Sequence, residues 1–174
     1  VTEWVALLRG VNVGGITVRS ADLREVLTGL GLTDVRTILA SGNAAFRADE
    51  SRTHLRTRIE KALRDRFAYD AWVLVFRRDE LAAAAAGFPF DAGDDSRQPW
   101  LLFCSDAATR DELVAAAASL DATLDPVAAG PGVVYWNPPK GSTTDTPFAK
   151  LIARRVYKER TTNRNLRTVL KILA

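Results

Sequence analysis

The sequence predicts an α+β protein made of two halves, each an antiparallel sheet with helices packed on one face. Three observations carry this reading: the order of apolar periods in the first half, a tight polar break between two short strands, and a partial return of the same order after residue 99. Residues 4–9 form a short apolar run that reads as a strand. Ser20 is expected to cap the helix "ADLREVLTGLG", where Leu23, Val26, Leu27 and Leu30 recur at helical spacing and Gly31 ends the pattern. "VRTILA" and "AAFRA" then read as two strands joined at "SGN", a hairpin. A helix over residues 51–67 shows Leu55, Ile59, Ala62 and Leu63 on one face, and the strand "AWVLVF" follows. The resulting order, βαββαβ, is that of the ferredoxin-like split βαβ motif.

The second half repeats the theme. After an alanine-rich helix over 79–86 and the turn-rich "GFPFDAGDDSRQP", the strand "WLLFC" leads to a helix over 107–120, strands near 123–128 and 133–136, and a helix with Thr146 as its cap and Pro147 at its first position. The motif "TTNRN" is expected to open the last helix, with Thr162 or Asn163 as cap and Arg164 and Asn165 in the first turn. The expected division is a first ferredoxin-like half over 1–86, a connecting segment over 87–98, and a second half over 99–174 that ends in basic helices. The decapeptides "RDELAAAAAG" and "RDELVAAAAS" look alike, but alanine-rich helices with an acidic first turn converge on such sequences without a repeat.

Composition narrows the function classes. A chain of 174 residues with 47% hydrophobic and 26% charged residues has the composition of a soluble globular protein. It holds no apolar run long enough to span a bilayer and shows no signal-peptide pattern, so a cytoplasmic location without membrane contact is the expectation. The one cysteine, Cys104, lies in an apolar strand and reads as a buried, inert thiol; the one histidine, His54, reads as a helix-surface residue. No metal site and no cofactor are expected. The four tryptophans, Trp4, Trp72, Trp100 and Trp136, all fall in predicted strands and read as core aromatics. The net charge of +3 is unevenly spread: residues 140–174 carry nine lysines and arginines against Asp145 and Glu159, a local +7, leaving −4 for the preceding 139 residues. Such asymmetry fits an anionic partner, a small molecule or nucleic acid, and equally fits a solvated basic helix surface.

The glycines of "LLRGVNVGG" raise the question of a phosphate loop. Gly15 is followed by Ile16 and Thr17 rather than by Lys and Ser/Thr, and no helix opens directly after it, so neither a Walker loop nor a dinucleotide fingerprint is present. Val11 and Val13 before the glycines and Ile16 and Val18 after them write a small hairpin, with glycine at turn positions that require positive φ. "VALLRGVNVGG" with "ADLREVL", then "VRTILASGNAAF", then "TTNRNLRTVLKI" resembles, from the first strand to the last helix, the bacterial domain-of-unknown-function family 1697. That family's last motif usually reads Thr-x-Arg-Asn-Trp-Asn-Thr-Val; Thr162, Arg164, Asn165, Thr168 and Val169 match it, and Leu166 and Arg167 depart from it. The resemblance implies a ferredoxin-like α+β fold and brings no activity with it.

Uncommitted polar side chains concentrate at three places: the end of the first strand, the hairpin turn and the "NRN" motif. The expected ligand contacts are Arg9, Asn12, Gly14, Gly15, Ser41, Gly42, Asn43, Lys150, Arg164 and Asn165, of which Arg9, Asn12, Ser41, Asn43, Arg164 and Asn165 are expected to converge on one polar surface. Ser, Gly and Asn also suit a turn for local reasons alone. The function that follows is a non-catalytic module for an anionic ligand, nucleotide or nucleic acid. The alternative is a cofactor-independent enzyme acting on a small phosphorylated or carboxylated metabolite in a cleft between the halves.

Overall fold

The computed structural model describes residues 1–11 and 16–174. The chain divides into two compact units, one of Val1–Leu81 with Leu170–Ala174, the other of Ala82–Val169. The hairpin expected around Gly14 and Gly15 lies outside the described residues.

The first unit contains β1 (Thr2–Leu8), α1 (Ser20–Gly29), β2 (Thr33–Thr37), β3 (Asn43–Ala48), α2 (Arg52–Phe67) and β4 (Val73–Arg77). Its four strands pair antiparallel in the order β2-β3-β1-β4, which is the ferredoxin-like arrangement. Period-two alternation decides which side chains meet the helices. Trp4, Ala6 and Leu8 of β1 join Ala44 and Phe46 of β3 and Val73 and Val75 of β4, and on this face they pack against Leu23 and Leu27 of α1 and Leu55, Ile59 and Leu63 of α2. The Ser51 hydroxyl accepts from the His54 amide and caps α2, which ends at Ala68 in the left-handed region (φ 53°). Ser20 does not cap α1: Arg19 holds the cap position without a side-chain bond, and the Ser20 hydroxyl donates instead to the Leu39 carbonyl.

After α3 (Arg78–Ala86), the second unit adds β5 (Trp100–Cys104), α4 (Ala107–Ala117), β6 (Val127–Gly130), β7 (Val133–Trp136), α5 (Pro147–Ile152), α6 (Arg155–Lys158), β8 (Thr161–Asn165) and the start of α7 (Leu166–Leu173), whose residues from Leu170 on belong to the first unit. Its antiparallel order, β6-β7-β5-β8, repeats that of the first sheet. Leu102, Cys104, Val134 and Trp136 face Leu113 of α4 and Phe148 and Ala149 of α5. The protein is thus α+β with two four-stranded antiparallel sheets, each packed with helices. The cap expected at the start of α5 is present, the Thr146 hydroxyl accepting from the Ala149 amide with Pro147 behind it.

Three expectations are corrected here. "TTNRN" is a strand rather than the first turn of the last helix: it completes the second βαββαβ motif by pairing with β5, Arg164 opposite Leu101. The strand expected at 123–128 starts only at Val127, because Asp121 closes a turn on the Thr123 amide and Asp125 turns inward. Trp72 sits just before β4 rather than within it, and it is half-buried. The two similar decapeptides occupy different helical registers, Arg78 opening α3 whereas Arg110 lies inside α4, as convergent helices would.

The loop preceding β5 shows how its acidic residues are used. Asp91 accepts from the Gly93 amide, and Asp94 from the Ser96 amide and hydroxyl, bonds that hold the Asp94 carboxyl below its usual range. Arg97 then staples the segment down by donating to the carbonyls of Thr123, Leu124 and Asn137. These are turn and docking roles.

Candidate functional site

The C-terminal end of β1 is a meeting point because β1 is an inner strand. Beyond the last residues of its ladder, the Leu8 amide donates to the Gly42 carbonyl (2.8 Å) on one side and the Arg9 amide to the Trp72 carbonyl (3.1 Å) on the other. The "SGN" turn is therefore stitched beside the segment that opens "RGVNVGG". Gly42 is required at this contact: its φ is +80°, and a Cβ there would lie 2.7 Å from Val11 Cγ2 and 2.8 Å from Leu8 Cβ. Of the expected ligand contacts, Arg9, Ser41, Gly42 and Asn43 are thus brought together within the first unit. Asn12, Gly14 and Gly15 lie outside the described residues.

Within that group the roles divide. Asn43 is fully buried, and its Nδ2 donates to the Ile38 carbonyl (2.8 Å) and to Ser41 Oγ (2.7 Å), while the Asn43 carbonyl accepts from the Ile38 amide. This side chain shapes the turn. Ser41 is exposed at the tip, next to Leu39, which is held at φ 59° with its side chain in solvent.

Arg9 lies over the Trp72 ring, its guanidinium carbon 5.5 Å from the centroid, and Arg56 of α2 approaches the same ring at 6.0 Å. Beneath them Glu60 accepts from the Val73 amide (3.1 Å) and from Arg56 Nε (3.4 Å), with Arg64 at 3.9 Å. Tyr69 borders this cluster, and its hydroxyl is pushed up to about 12, first by burial and then by the Glu60 carboxylate. Arg56 and Arg64 thus share the Glu60 carboxylate, and Arg9 brings a further guanidinium to the half-buried Trp72 ring. Sequence reasoning placed Trp72 in the core and did not single out Arg56. The signal was available in the strand order, since β1 and β4 are antiparallel neighbours and the residue opening β4 must lie beside the residue leaving β1.

The remaining expected contacts belong to the second unit. Arg164 is 5% exposed, and its Nη1 donates to Thr162 Oγ1 (2.8 Å) and to the Asn163 carbonyl (2.9 Å). Burial lowers its guanidinium to about 10. Asn165 ends β8, where its Oδ1 accepts from the Arg167 amide and so starts α7. Lys150 is exposed in the last turn of α5.

Two candidates for other chemistry resolve into structural roles. Cys104 is buried with its thiol pushed up to about 12 by desolvation, far from the low values that make a nucleophile. His54 is exposed, its Nδ1 3.0 Å from Glu50 Oε2. Among the described residues no group of three or more His, Cys, Asp or Glu side chains is placed to hold a metal ion, and no helix is long and apolar enough to cross a membrane.

No curated protein matches the chain. A solved structure, that of the conserved bacterial protein SP0830 from Streptococcus pneumoniae, is similar over 99% of this chain and 97% of its own, at 27% identity and a TM-score of 0.82. The family model described as protein of unknown function (DUF1697) matches residues 1–135, and the chain belongs to that family.

Proposed function

We propose that the protein is a non-catalytic module that binds an anionic ligand of the nucleotide type, with the phosphate held at the end of β1 by Arg9. The observation that carries this reading is the stack of Arg9 and Arg56 on Trp72 beside the exposed tip of the Ser41–Gly42–Asn43 turn. A guanidinium laid on an aromatic ring is pre-oriented, so less side-chain freedom is lost when it binds a phosphate. Asn12, Gly14 and Gly15 supply further contacts in this reading, as does the Ser41 hydroxyl. In the second unit, the exposed Lys150 belongs to the basic segment through which a longer polyanion would be engaged, while the buried Arg164 and the helix-starting Asn165 keep their structural roles.

The test is a thermal-shift titration with nucleoside mono-, di- and triphosphates and with inorganic phosphate. A ligand that binds only the native state at 100 times its dissociation constant adds about 2.7 kcal/mol of stability. Arg9→Gln should weaken binding by about tenfold or more, the loss of one charge-assisted bond, while leaving the unliganded melting temperature within a degree or two. Equal affinity in the variant and the parent would remove Arg9 from the site and this reading with it.

A further inference from the structure

The sheet of the first unit has a second face, and it carries charge that the packing does not answer. Cross-strand partners share a face, so Arg36 (β2), Ala45 (β3) and Val5 (β1) form one row and Arg47 and Glu3 the next, all on the side opposite α1 and α2. They line a groove of about 290 Å³ closed by Arg78 and Ile172. Val5 and Ala45 give it a small apolar floor, and its walls carry three guanidiniums, of Arg36, Arg47 and Arg78, against the carboxylates of Glu3 and Asp34.

Those guanidiniums are not equivalent. Arg47 is answered by Glu3 (3.1 Å) and Asp34 (3.5 Å). Arg36 and Arg78 are not: among the described residues neither has a carboxylate within ion-pair distance, and each donates instead to a carbonyl at the end of α7, Arg36 Nη2 to Ile172 (2.7 Å) and Arg78 to Leu173. A helix C-terminus carries roughly half a negative charge, so Arg36 and Arg78 keep about +1.5 between them, and with Arg47 set against both Glu3 and Asp34 the groove as a whole holds about +0.5. Each guanidinium has five N–H donors, and one from each goes to the helix. The groove is therefore a preformed, positively charged recess with unspent donors on two fixed side chains.

We infer that this groove is a binding site for a small dianion, a short dicarboxylate or a phosphomonoester, held between Arg36 and Arg78 over the Val5–Ala45 floor. Its volume lies at the small end of ligand pockets, which run from about 300 Å³ upward, and this selects a compact ligand over a nucleotide. Two charged groups on the ligand answer two on the protein, and the short apolar frame between them rests on the apolar floor. This site is separate from Arg9 and Trp72 and does not depend on the reading given above.

The experiment is an amide-resolved NMR titration of the full chain with succinate and, separately, with glycerol phosphate, the two arms distinguishing carboxylate from phosphate. Saturable shifts of the Val5, Ala45 and Arg47 amides at about millimolar concentrations are expected in at least one arm. The double variant Arg36→Gln/Arg78→Gln should lose at least tenfold in affinity, and Arg9→Gln should lose nothing. Should the double variant fail to fold, Arg36→Lys/Arg78→Lys keeps both charges and one donor per carbonyl while removing the planar fork, and a severalfold loss is expected. No saturable shift in either arm at about 50 mM would overturn the proposal, as would shifts that persist unchanged in whichever of these double variants folds.

Discussion

Asp125 shows most directly how a single buried side chain holds the second unit together. It is 2% exposed, and its two oxygens divide their work: Oδ1 accepts from Trp136 Nε1 (2.9 Å) and Oδ2 from the Phe148 amide (3.1 Å), so one carboxylate joins β7 to the start of α5. Replacing it by alanine strands two buried donors, and Asp125→Ala is expected to cost about 3 kcal/mol in a urea unfolding experiment, because each unmade bond to a charged acceptor is worth roughly 1.5–3 kcal/mol and relaxation recovers part. Gly130 is fixed by a different constraint. A Cβ there would stand 2.3 Å from Tyr135 Cε2, inside the ring whose hydroxyl donates to the Ala84 carbonyl. Gly130→Ala should therefore cost about 1–3 kcal/mol through overpacking in the same assay. The buried thiol of Cys104 makes a third residue-scale expectation: it should resist a thiol reagent at pH 8 in the native chain and react at once in denaturant. Fast native labelling would mean that β5 opens far more readily than its burial implies.

Element by element, the apolar periods were legible and the polar strand was not. β1, β5 and β7 announce themselves as short continuous apolar runs, and α1 and α2 by apolar residues that recur at helical spacing. β8 buries Thr162 and Arg164 instead, alternating with Thr161, Asn163 and Asn165. The period is two, but no apolar residue marks it, and "NRN" ahead of an apolar helix reads as a cap. What makes such a strand buriable is visible only in three dimensions, where the Arg164 guanidinium donates to the Thr162 hydroxyl and to its own backbone. The same blindness applies to the candidate sites. Arg9 and the "SGN" turn could be read from the sequence as polar residues without a core role, but Arg56, Trp72, Arg36 and Arg78 gain their meaning from strand order and from where α7 ends. Burial also reverses the expectation for Arg164 itself, which as a partly exposed first-turn residue would have contributed little to stability. Arg164→Ala is now expected to destabilise the protein by about 1–3 kcal/mol, leaving the Thr162 hydroxyl and a cavity behind, whereas Arg164→Met, which fills the space, should lose less. Equal stability of the alanine variant and the parent would show that the strand does not depend on this side chain.

At the scale of the whole molecule, charge and protonation set the conditions under which it survives. A polyanion reading of the basic segment 140–174 implies binding to an oligonucleotide at about 50 mM salt that weakens steeply as salt is added, each neutralised phosphate contributing close to one unit of slope. Arg160 is engaged by Glu112, which lies outside that segment, and Arg164 is buried, so the slope should fall short of the formal +7. The pH dependence of stability follows from groups whose shifts differ in sign. Cys104 rises from an ordinary 9 to about 12 and Tyr69 from 10 to about 12, both first through burial. For such groups the stabilising contribution is complete below the unfolded value and is lost as pH climbs toward the folded one, because only the unfolded chain can release the proton. Arg164 works the other way: lowered from 12.5 to about 10, it is costly to bury while charged, and that cost is relieved as pH rises past 10. Between pH 9 and 10 only Cys104 acts, so stability should begin to fall near pH 9 at about 1.4 kcal/mol per pH unit. Above pH 10 Cys104, Tyr69 and Tyr135, all raised by burial, lower stability together while Arg164 raises it, so the fall continues. On the acid side Asp94, Asp106 and Asp121 are all held below the usual carboxylate range by local hydrogen bonds, so their contribution is present at neutral pH and lost as pH drops through their lowered values. They are solvent-exposed, and the acid limb should be shallow by comparison. Urea unfolding from pH 7 to 11 checks the alkaline limb, with Cys104→Ala as the deciding variant: its stability should stay level to about pH 10, one unit further than the parent. A parent curve that is already flat to pH 10 would mean that the thiol titrates alike in the folded and unfolded chains, and the buried position of Cys104 in β5 would then have to be abandoned.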